Sequence, residues 1–308
     1  MAFKDWFLET RPQFLILSVV LVLYGTAVAF YHNSFSFPVL FLAMAGLLCM
    51  HTSCNVLNDY YDYKSGIDLH TAPTPFSGGS GFLPSGKLNP PGVFILGMSS
   101  ALTGVMIGIY FCITVGWGLL PIVITGAFAV IFYNTILSKI MLGEIFAGLG
   151  LGLLPIIGTY FVYTGRYDIQ AVFAGIPPFF LVFNLLLLNE FPDAEADKKG
   201  NRKHLVIVFG PKIAAWIYTI FNLSVYIWVL FGILSGIMPV WTILCLFTLP
   251  FAFKAIQGAL KFRDNREKFI PAQGANVAMV LVTQVLLSIG YLISHWSNIK
   301  ISFGNFRI

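Results

Sequence analysis

Two short acidic runs stand out in this apolar chain because they share one pattern. The segment 58–62 (N-D-Y-Y-D) matches the segment 189–193 (N-E-F-P-D) at an offset of 131 residues. Residues three or four positions apart share one face of a helix, so Asn58 with Asp62, or Asp193 with Asp197, can direct two oxygen atoms to one point. The spacing therefore predicts two matched groups of oxygen ligands.

The chemistry of these ligands indicates a divalent cation that binds oxygen. Carboxylates and amides without a neighbouring His or Cys suit Mg²⁺ rather than Zn²⁺. Mg²⁺ usually binds through one or two carboxylates plus phosphate oxygens of a substrate, so two clusters suit two ions bridged by a diphosphate. The alternative is that these acids are solvated and only cap helix ends. The predicted metal ligands are Asp59, Asp62, Asp68, Asn189, Asp193 and Asp197.

Basic residues beside the acidic runs are candidates for binding phosphate oxygens, which lysine and arginine neutralise. The alternative for each is ordinary anchoring at the membrane surface. The segment 77–81 (S-G-G-S-G) lacks the spacing of a phosphate-binding P-loop and is interpreted as a flexible loop or lid. The predicted diphosphate-binding residues are Asn58, Lys139, Arg202, Arg11 and Lys203.

The histidines and cysteines show no metal-binding or disulfide pattern. His51, in an apolar run, is interpreted as a packed core histidine, and His70 and His204 have no partners at metal-ligand spacing. All four cysteines lie inside apolar runs and are interpreted as small packing residues. The sequence therefore predicts neither a zinc site nor a disulfide framework.

Membrane-spanning helices must position these residues. Of 308 residues, 57% are hydrophobic and only 10% are charged, whereas a soluble domain carries about 25% charged residues. The first apolar run is interpreted as a retained span rather than a cleaved signal peptide. We predict a single all-α membrane domain, 1–308, with two similar halves (about 1–140 and 141–270) and a final helix. The nine predicted spans are 13–31, 38–58, 92–115, 117–137, 141–163, 169–191, 211–235, 239–260 and 273–297.

The distribution of positive charge predicts the orientation of these spans. With the N-terminus inside, fifteen of the 18 lysines and arginines fall on the cytoplasmic side, and only Arg166, Lys300 and Arg307 fall outside. This bias follows the positive-inside rule and explains the net charge of +5 without a nucleic-acid partner. The long connections 59–91 and 192–210, which carry the acidic motifs, then both face the cytoplasm, and the C-terminus lies outside.

These motifs resemble those of the UbiA superfamily of intramembrane prenyltransferases. The resemblance rests on N-D-Y-Y-D-Y-K-S-G-I-D at 58–68 and D-A-E-A-D-K-K-G-N-R-K-H-L at 193–205, with Y-N-T-I-L-S-K at 133–139 between them. The predicted arrangement of nine helices also resembles that of the superfamily, so the resemblance covers nearly the whole chain. The gap between Asp62 and Asp68 is similar to that of the menaquinone-type branch, which prenylates dihydroxynaphthoate.

The resemblance implies nine helices around a central cavity and a Mg²⁺-dependent transfer of a prenyl group from a prenyl diphosphate to an aromatic, naphthoate-like acceptor. It also implies catalytic roles for Asp68, Lys139 and Tyr133, with Lys139 and Arg202 stabilising the leaving diphosphate. The base for the acceptor stays open between Asp68 and Glu144. Prenyl chain length and oligomeric state stay open as well.

Three alternatives compete with this interpretation. Another branch of the superfamily, archaeal ether-lipid synthesis by transfer to geranylgeranylglyceryl phosphate, fits the Asp62–Asp68 gap less well. A CDP-alcohol phosphotransferase requires Asp-Gly in its motif, but Tyr63 follows Asp62. A cation-coupled transporter would carry its acids near the membrane midplane, whereas these acids lie at the ends of the predicted spans.

Overall fold

The computed structural model describes residues 3–71, 74–263 and 265–297. Every regular element within these ranges is helical, which confirms the predicted fold class. Short 3₁₀ or π segments join several of the helices. The helices are α1 (Phe3–Glu9), α2 (Pro12–Tyr31), α3 (Phe37–Ser65), α4 (Pro90–Thr114), α5 (Leu120–Phe132), α6 (Gly143–Gly148), α7 (Leu154–Thr164), α8 (Ile169–Lys199), α9 (Leu205–Leu234), α10 (Leu249–Gln257) and α11 (Arg266–Ser297).

Eight segments of the described residues are long and apolar enough to cross a membrane. A span needs about 20 apolar residues, and α6 joins α7 within one such segment, as the 3₁₀ segment Val240–Thr248 joins α10 in another. The predicted span 117–137 is shorter than expected, because its apolar helix covers only Trp117–Phe132. On α4, the large apolar residues Ile95, Leu102, Met106 and Ile113 are exposed along one face. Such a stripe suits contact with lipid, and the chain is an integral, multi-pass membrane protein.

Two helices extend beyond the C-terminal ends that hydropathy predicts for them, and both carry an acidic motif. Helix α3 continues to Ser65 and stops at Gly66, whose φ of 81° forms a left-handed cap that glycine adopts without strain. Helix α8 continues to Lys199, so much of the predicted loop 192–210 is helical. Good helix formers such as Ala194 and Ala196 sustain the helix after the apolar residues end. Most of the motif acids therefore lie on helix ends rather than in loops.

Contacts between helix ends place the motifs at one face of the bundle. The start of α2 meets the end of α3, where Arg11 Nη1 lies 3.4 Å from Asp59 Oδ1. The start of α9 meets the start of α6, where the Leu205 amide donates to Glu144 Oε1 at 2.8 Å. The opposite face joins the end of α2 to the start of α8 through His32 and Gln170, 2.7 Å apart. The orientation predicted from charge stays a prediction, and two of its three outside residues, Lys300 and Arg307, lie outside the described residues.

Candidate active site

The two acidic motifs meet at the side chain of Arg202. Its Nη2 donates to Asp62 Oδ1 in the first motif, and its Nη1 donates to Asp197 Oδ1 in the second at 3.0 Å. Arg202 lies in the short connection between α8 and α9, which the last turn of α8 carries toward α3. Although burial alone would lower the pKa of Arg202, the carboxylates of Asp62 and Asp197 raise it above its ordinary value. One guanidinium therefore joins the two halves of the predicted site.

Asn134 is part of this junction and was not predicted from the sequence. Its Oδ1 accepts hydrogen bonds from Asn58 Nδ2 at 2.8 Å and from Arg202 Nη2 at 3.2 Å. It lies just beyond the end of α5, where the chain leaves the helix. The only signal in the sequence was its position beside Tyr133, between the two motifs.

The glycine-rich loop lies over the two motifs and touches both. The Ser80 amide donates to Asp59 Oδ2 at 2.8 Å, and Ser77 Oγ donates to Asp193 Oδ1 at 3.4 Å. Arg11 Nη2 donates to the carbonyl of Gly78. These contacts support the lid interpretation of the segment.

The carboxyl group of Asp68 approaches the backbone closely at Gly79, where a larger residue would push it aside. An added Cβ would lie only 2.7 Å from Asp68 Oδ1. Burial, followed by the charges of Asp62 and Asp59, raises the pKa of Asp68 to about 7. Glu9, whose Oε2 accepts from Ser80 Oγ at 2.6 Å, has its pKa raised to about 8, chiefly by burial. The loop thus packs against carboxyl groups that are costly to ionise without a cation nearby.

A buried cluster behind the second motif was also missed. His204 Nε2 lies 3.4 Å from Asp197 Oδ2, and His204 Nδ1 lies 3.6 Å from Glu190 Oε2. Both imidazole nitrogens are buried without a hydrogen bond in the described structure. His204 is far from any other His or Cys in the sequence, so residue spacing gave no indication that it lies beside Asp197 and Glu190.

A cavity of about 430 Å³ opens from this polar junction into the helix bundle. Its polar end includes five carboxylate residues (Asp62, Asp68, Glu190, Asp193, Asp197) and three basic ones (Arg11, Arg202, Lys203). The rest of its wall is mainly aliphatic and glycine residues of α3, α4, α5 and α7, such as Gly104, Ile107, Val123 and Gly158. Such a cavity suits a ligand with a charged head and a long apolar tail.

Most predicted site residues line this cavity, including Asn58, Tyr133 and Asn189. Two predicted residues do not. Asp59 lies next to Asn58 on α3 and so points to another side of the helix, where both of its oxygens contact Arg11 or Ser80. Lys139 is exposed and lines a smaller cavity of about 240 Å³, because the 3₁₀ turn after α5 carries it outward. This smaller cavity adjoins the central one, since Asp62 and Arg202 line both.

His51 has the burial predicted for a core histidine, but it has a second position that the sequence did not indicate. It is buried, as a core residue would be, and its Nδ1 lies 2.8 Å from Ser18 Oγ. It also lines the cavity, on the same face of α3 as Asn58. It is therefore a wall residue of the site rather than only a packing residue.

The donor set at the polar end fits Mg²⁺. Within the described residues, no three His, Cys, Asp or Glu side chains group closely enough to hold a metal by themselves. Mg²⁺ does not need such a cage, since it binds through one or two carboxylates and completes its shell with water and phosphate oxygens. The excess of carboxylates over basic residues leaves negative charge for a cation to neutralise.

Comparisons with known proteins agree on one family. The model of the UbiA prenyltransferase family matches residues 18–290. The chain is 30% identical to 1,4-dihydroxy-2-naphthoate octaprenyltransferase of Bacillus subtilis, over 93% of this chain and 92% of that protein. A solved structure of digeranylgeranylglyceryl phosphate synthase has a TM-score of 0.66 at 17% identity, covering 94% of this chain and 98% of that one. A UbiA homolog from Archaeoglobus fulgidus bound to DMAPP and Mg²⁺ has a TM-score of 0.58 at 14% identity, covering 91% and 98%.

Proposed function

Because the chain belongs to the UbiA prenyltransferase family and is a prenyltransferase, we propose that it transfers a prenyl group from a prenyl diphosphate to a naphthoate-like aromatic acceptor. The observation that carries this proposal is the meeting of both acidic motifs, through Arg202, at the polar end of a mostly apolar cavity. The naphthoate class of acceptor is supported by the name of the Bacillus subtilis relative. The reaction would serve quinone synthesis of the menaquinone type.

Mg²⁺ would be held by carboxylate and amide oxygens of the two motifs. The residues that line the cavity and carry such oxygens are Asp62, Asp68, Asn189, Asp193 and Asp197. When bound, the ion supplies positive charge to the diphosphate oxygens as the bond to the prenyl carbon breaks. A structural relative is described as bound to DMAPP and Mg²⁺, which supports this choice of ion.

The basic residues at the polar end would bind the diphosphate directly. Arg202 is fixed by Asp62, Asp197 and Asn134, so its guanidinium is already oriented before substrate enters. Arg11 is held over the cavity by Asp59 and the carbonyl of Gly78. Lys203 lines the cavity on an exposed edge. Because Arg202 and Arg11 are already held in place, they can stabilise the charge of a leaving group without having to reorganise.

The remaining part of the cavity would hold the prenyl chain and exclude water. Exclusion of water protects an allylic cation from quenching until the acceptor carbon attacks. Tyr133 lines the cavity beside the polar end, and we propose that it orients a reactant or shields the cation. Lys139 lines the smaller cavity on the other side of Asp62 and Arg202, and we propose that it would reach the diphosphate from there.

We also propose that the motif face is cytoplasmic, following the charge bias. The membrane is then the source of the prenyl diphosphate and the destination of the product.

The division of the chain into two similar halves, about 1–140 and 141–270, stays a prediction.

Chelation of divalent metal should lower the rate of prenyl transfer by more than about 100-fold, because several kcal/mol of charge stabilisation is lost. The measurement is turnover of purified protein in EDTA, followed by titration with MgCl₂. Recovery at low millimolar Mg²⁺ is the expected result. Full turnover in EDTA, with no bound metal by elemental analysis, would contradict the metal assignment.

Replacement of Gly79 by valine should lower kcat/KM by about 10–100-fold, since a misplacement of about 1 Å near the chemistry has that effect. The added side chain would displace Asp68, because a Cβ at position 79 would lie 2.7 Å from Asp68 Oδ1. Turnover and unfolding temperature are measured together. An unchanged unfolding temperature with reduced turnover assigns the loss to the site, and unchanged turnover would show that Asp68 has no part in it.

The acceptor is tested with a panel of prenyl diphosphates and aromatic acceptors, with products identified by mass spectrometry. Prenylation of 1,4-dihydroxy-2-naphthoate is expected. Transfer only to geranylgeranylglyceryl phosphate would instead support the ether-lipid branch. Solute flux in liposomes without any prenyl transfer would support a transporter.

A further inference from the structure

His51 is a polar residue of the cavity wall that the proposed reaction has not used. It is buried to 5% exposure in the middle of α3, a membrane-spanning helix. Burying a polar group without a hydrogen bond costs free energy, so its contacts should explain its presence. Only one of its two nitrogens has a partner among the described residues.

The partner fixes the orientation of the imidazole ring. Nδ1 lies 2.8 Å from Oγ of Ser18, which is itself fully buried on α2. Nε2 forms no hydrogen bond to any residue that the structure describes, yet it is not among the buried polar atoms that lack partners. Because His51 lines the central cavity, the open space beside Nε2 is that cavity.

His51 continues a polar row from the metal end of the site. Asp62, Asn58, Asn55 and His51 are spaced four, three and four residues apart, so they share one face of α3, and all four line the cavity. His51 lies seven residues before Asn58, which is about 10 Å along a helix. That separation suits a bicyclic aromatic ring with its substituents, placed between His51 and the reacting end of the prenyl chain. A hydrocarbon tail at this position would leave Nε2 without a partner.

We propose that His51 Nε2 binds an oxygen substituent of the aromatic acceptor, and that Ser18 is the residue that positions the imidazole. The proposal rests on the proposed function, because it assigns the acceptor end of the same cavity. A neutral imidazole can donate or accept at Nε2, so it can pair with a hydroxyl or a carboxylate. His51 would then determine which aromatic compounds are accepted.

Two substitutions separate this role from core packing. His51→Asn keeps an amide near the position of Nδ1, and so the contact with Ser18, but leaves nothing at Nε2. His51→Gln places its amide near Nε2 instead. We expect His51→Asn to lower kcat/KM for 1,4-dihydroxy-2-naphthoate by about 10–100-fold, the effect of losing a hydrogen bond to a charged or buried group. His51→Gln should stay within a few-fold of wild type, and KM for the prenyl diphosphate should not change in either variant.

Ser18→Ala and a simpler acceptor provide further comparisons. Ser18→Ala should raise KM for the acceptor less than His51→Asn does, because the imidazole is still present but less well oriented. With 1-naphthol, which lacks the carboxylate and second hydroxyl, the difference between His51→Asn and wild type should shrink.

Equal kcat/KM values for the acceptor in wild type and His51→Asn would overturn the inference. So would a loss in both variants that affects both substrates alike and lowers the unfolding temperature, since that is the behaviour of a packing residue. If wild type prenylates no aromatic acceptor at all, the proposed function itself has failed. The two failures are therefore distinguished by wild-type turnover.

Discussion

Replacing Asp62 by asparagine should lower kcat/KM for prenyl transfer by about 10²–10³-fold, the usual effect of removing one fixed group that stabilises charge in a transition state. Asparagine keeps the shape of the side chain and an oxygen that can accept from Arg202 Nη2. It removes the negative charge that Mg²⁺ needs. The concentration of Mg²⁺ required for half-maximal turnover should rise in the same variant.

The matched control is Asp168→Asn. Asp168 lies at the N-terminal end of α8, at the opposite end of that helix from the second acidic motif. Asp168 caps that helix, where its Oδ1 accepts from the Gln170 amide at 2.8 Å, and asparagine can make the same cap. Turnover and Mg²⁺ dependence of the control should match wild type. If Asp62→Asn retained both wild-type turnover and wild-type Mg²⁺ dependence, the first motif would not be a metal site.

The sequence predicted the architecture well because membrane helices have a strong and simple signal. Apolar runs of about 20 residues predict the spans, and among the described residues eight of the nine predicted spans are long enough to cross a membrane, while the ninth contains a shorter apolar helix. The break of α9 at Gly210, with its φ of 82°, falls where the predicted span 211–235 begins. The ends of α3 and α8 were less predictable. Hydropathy falls before each acidic motif, but helical propensity and the cap at Gly66 carry the helix further.

The site was predictable where residues act through spacing along one helix, and not where they act across helices. Asp62 and Asp197 were found from their motifs. Asn134 contacts Arg202, which lies 68 positions further along the chain, and His204 contacts Asp197, which lies 7 positions earlier. No local pattern in the sequence indicates either contact. Asp59 looked equivalent to Asp62 in sequence, yet its different position around the helix turns it away from the cavity and toward Arg11. The predicted metal-binding roles themselves stay predictions.

Replacing Arg202 by methionine should have the second large effect, and it should show in stability as well as activity. Arg202 is the counter-ion of both Asp62 and Asp197, and all three side chains are largely buried. Removing one partner of a buried ion pair costs about 3–5 kcal/mol, because the remaining charge is left uncompensated. We therefore expect a clear drop in unfolding temperature without metal, and loss of prenyl transfer, since the diphosphate loses its best-fixed donor.

Mg²⁺ should partly reverse the loss of stability in Arg202→Met but not the loss of activity. The guanidinium and a metal ion both neutralise Asp62 and Asp197, so removing the guanidinium leaves those carboxylates to the ion. The stabilisation by Mg²⁺, measured as a shift of unfolding temperature, should thus be larger in the variant than in wild type. Arg166→Met, an exposed arginine at the other face, is the control and should change neither quantity. An equal Mg²⁺ shift in Arg202→Met and wild type would mean that the ion binds elsewhere, and that Arg202 joins the two motifs only as a structural ion pair.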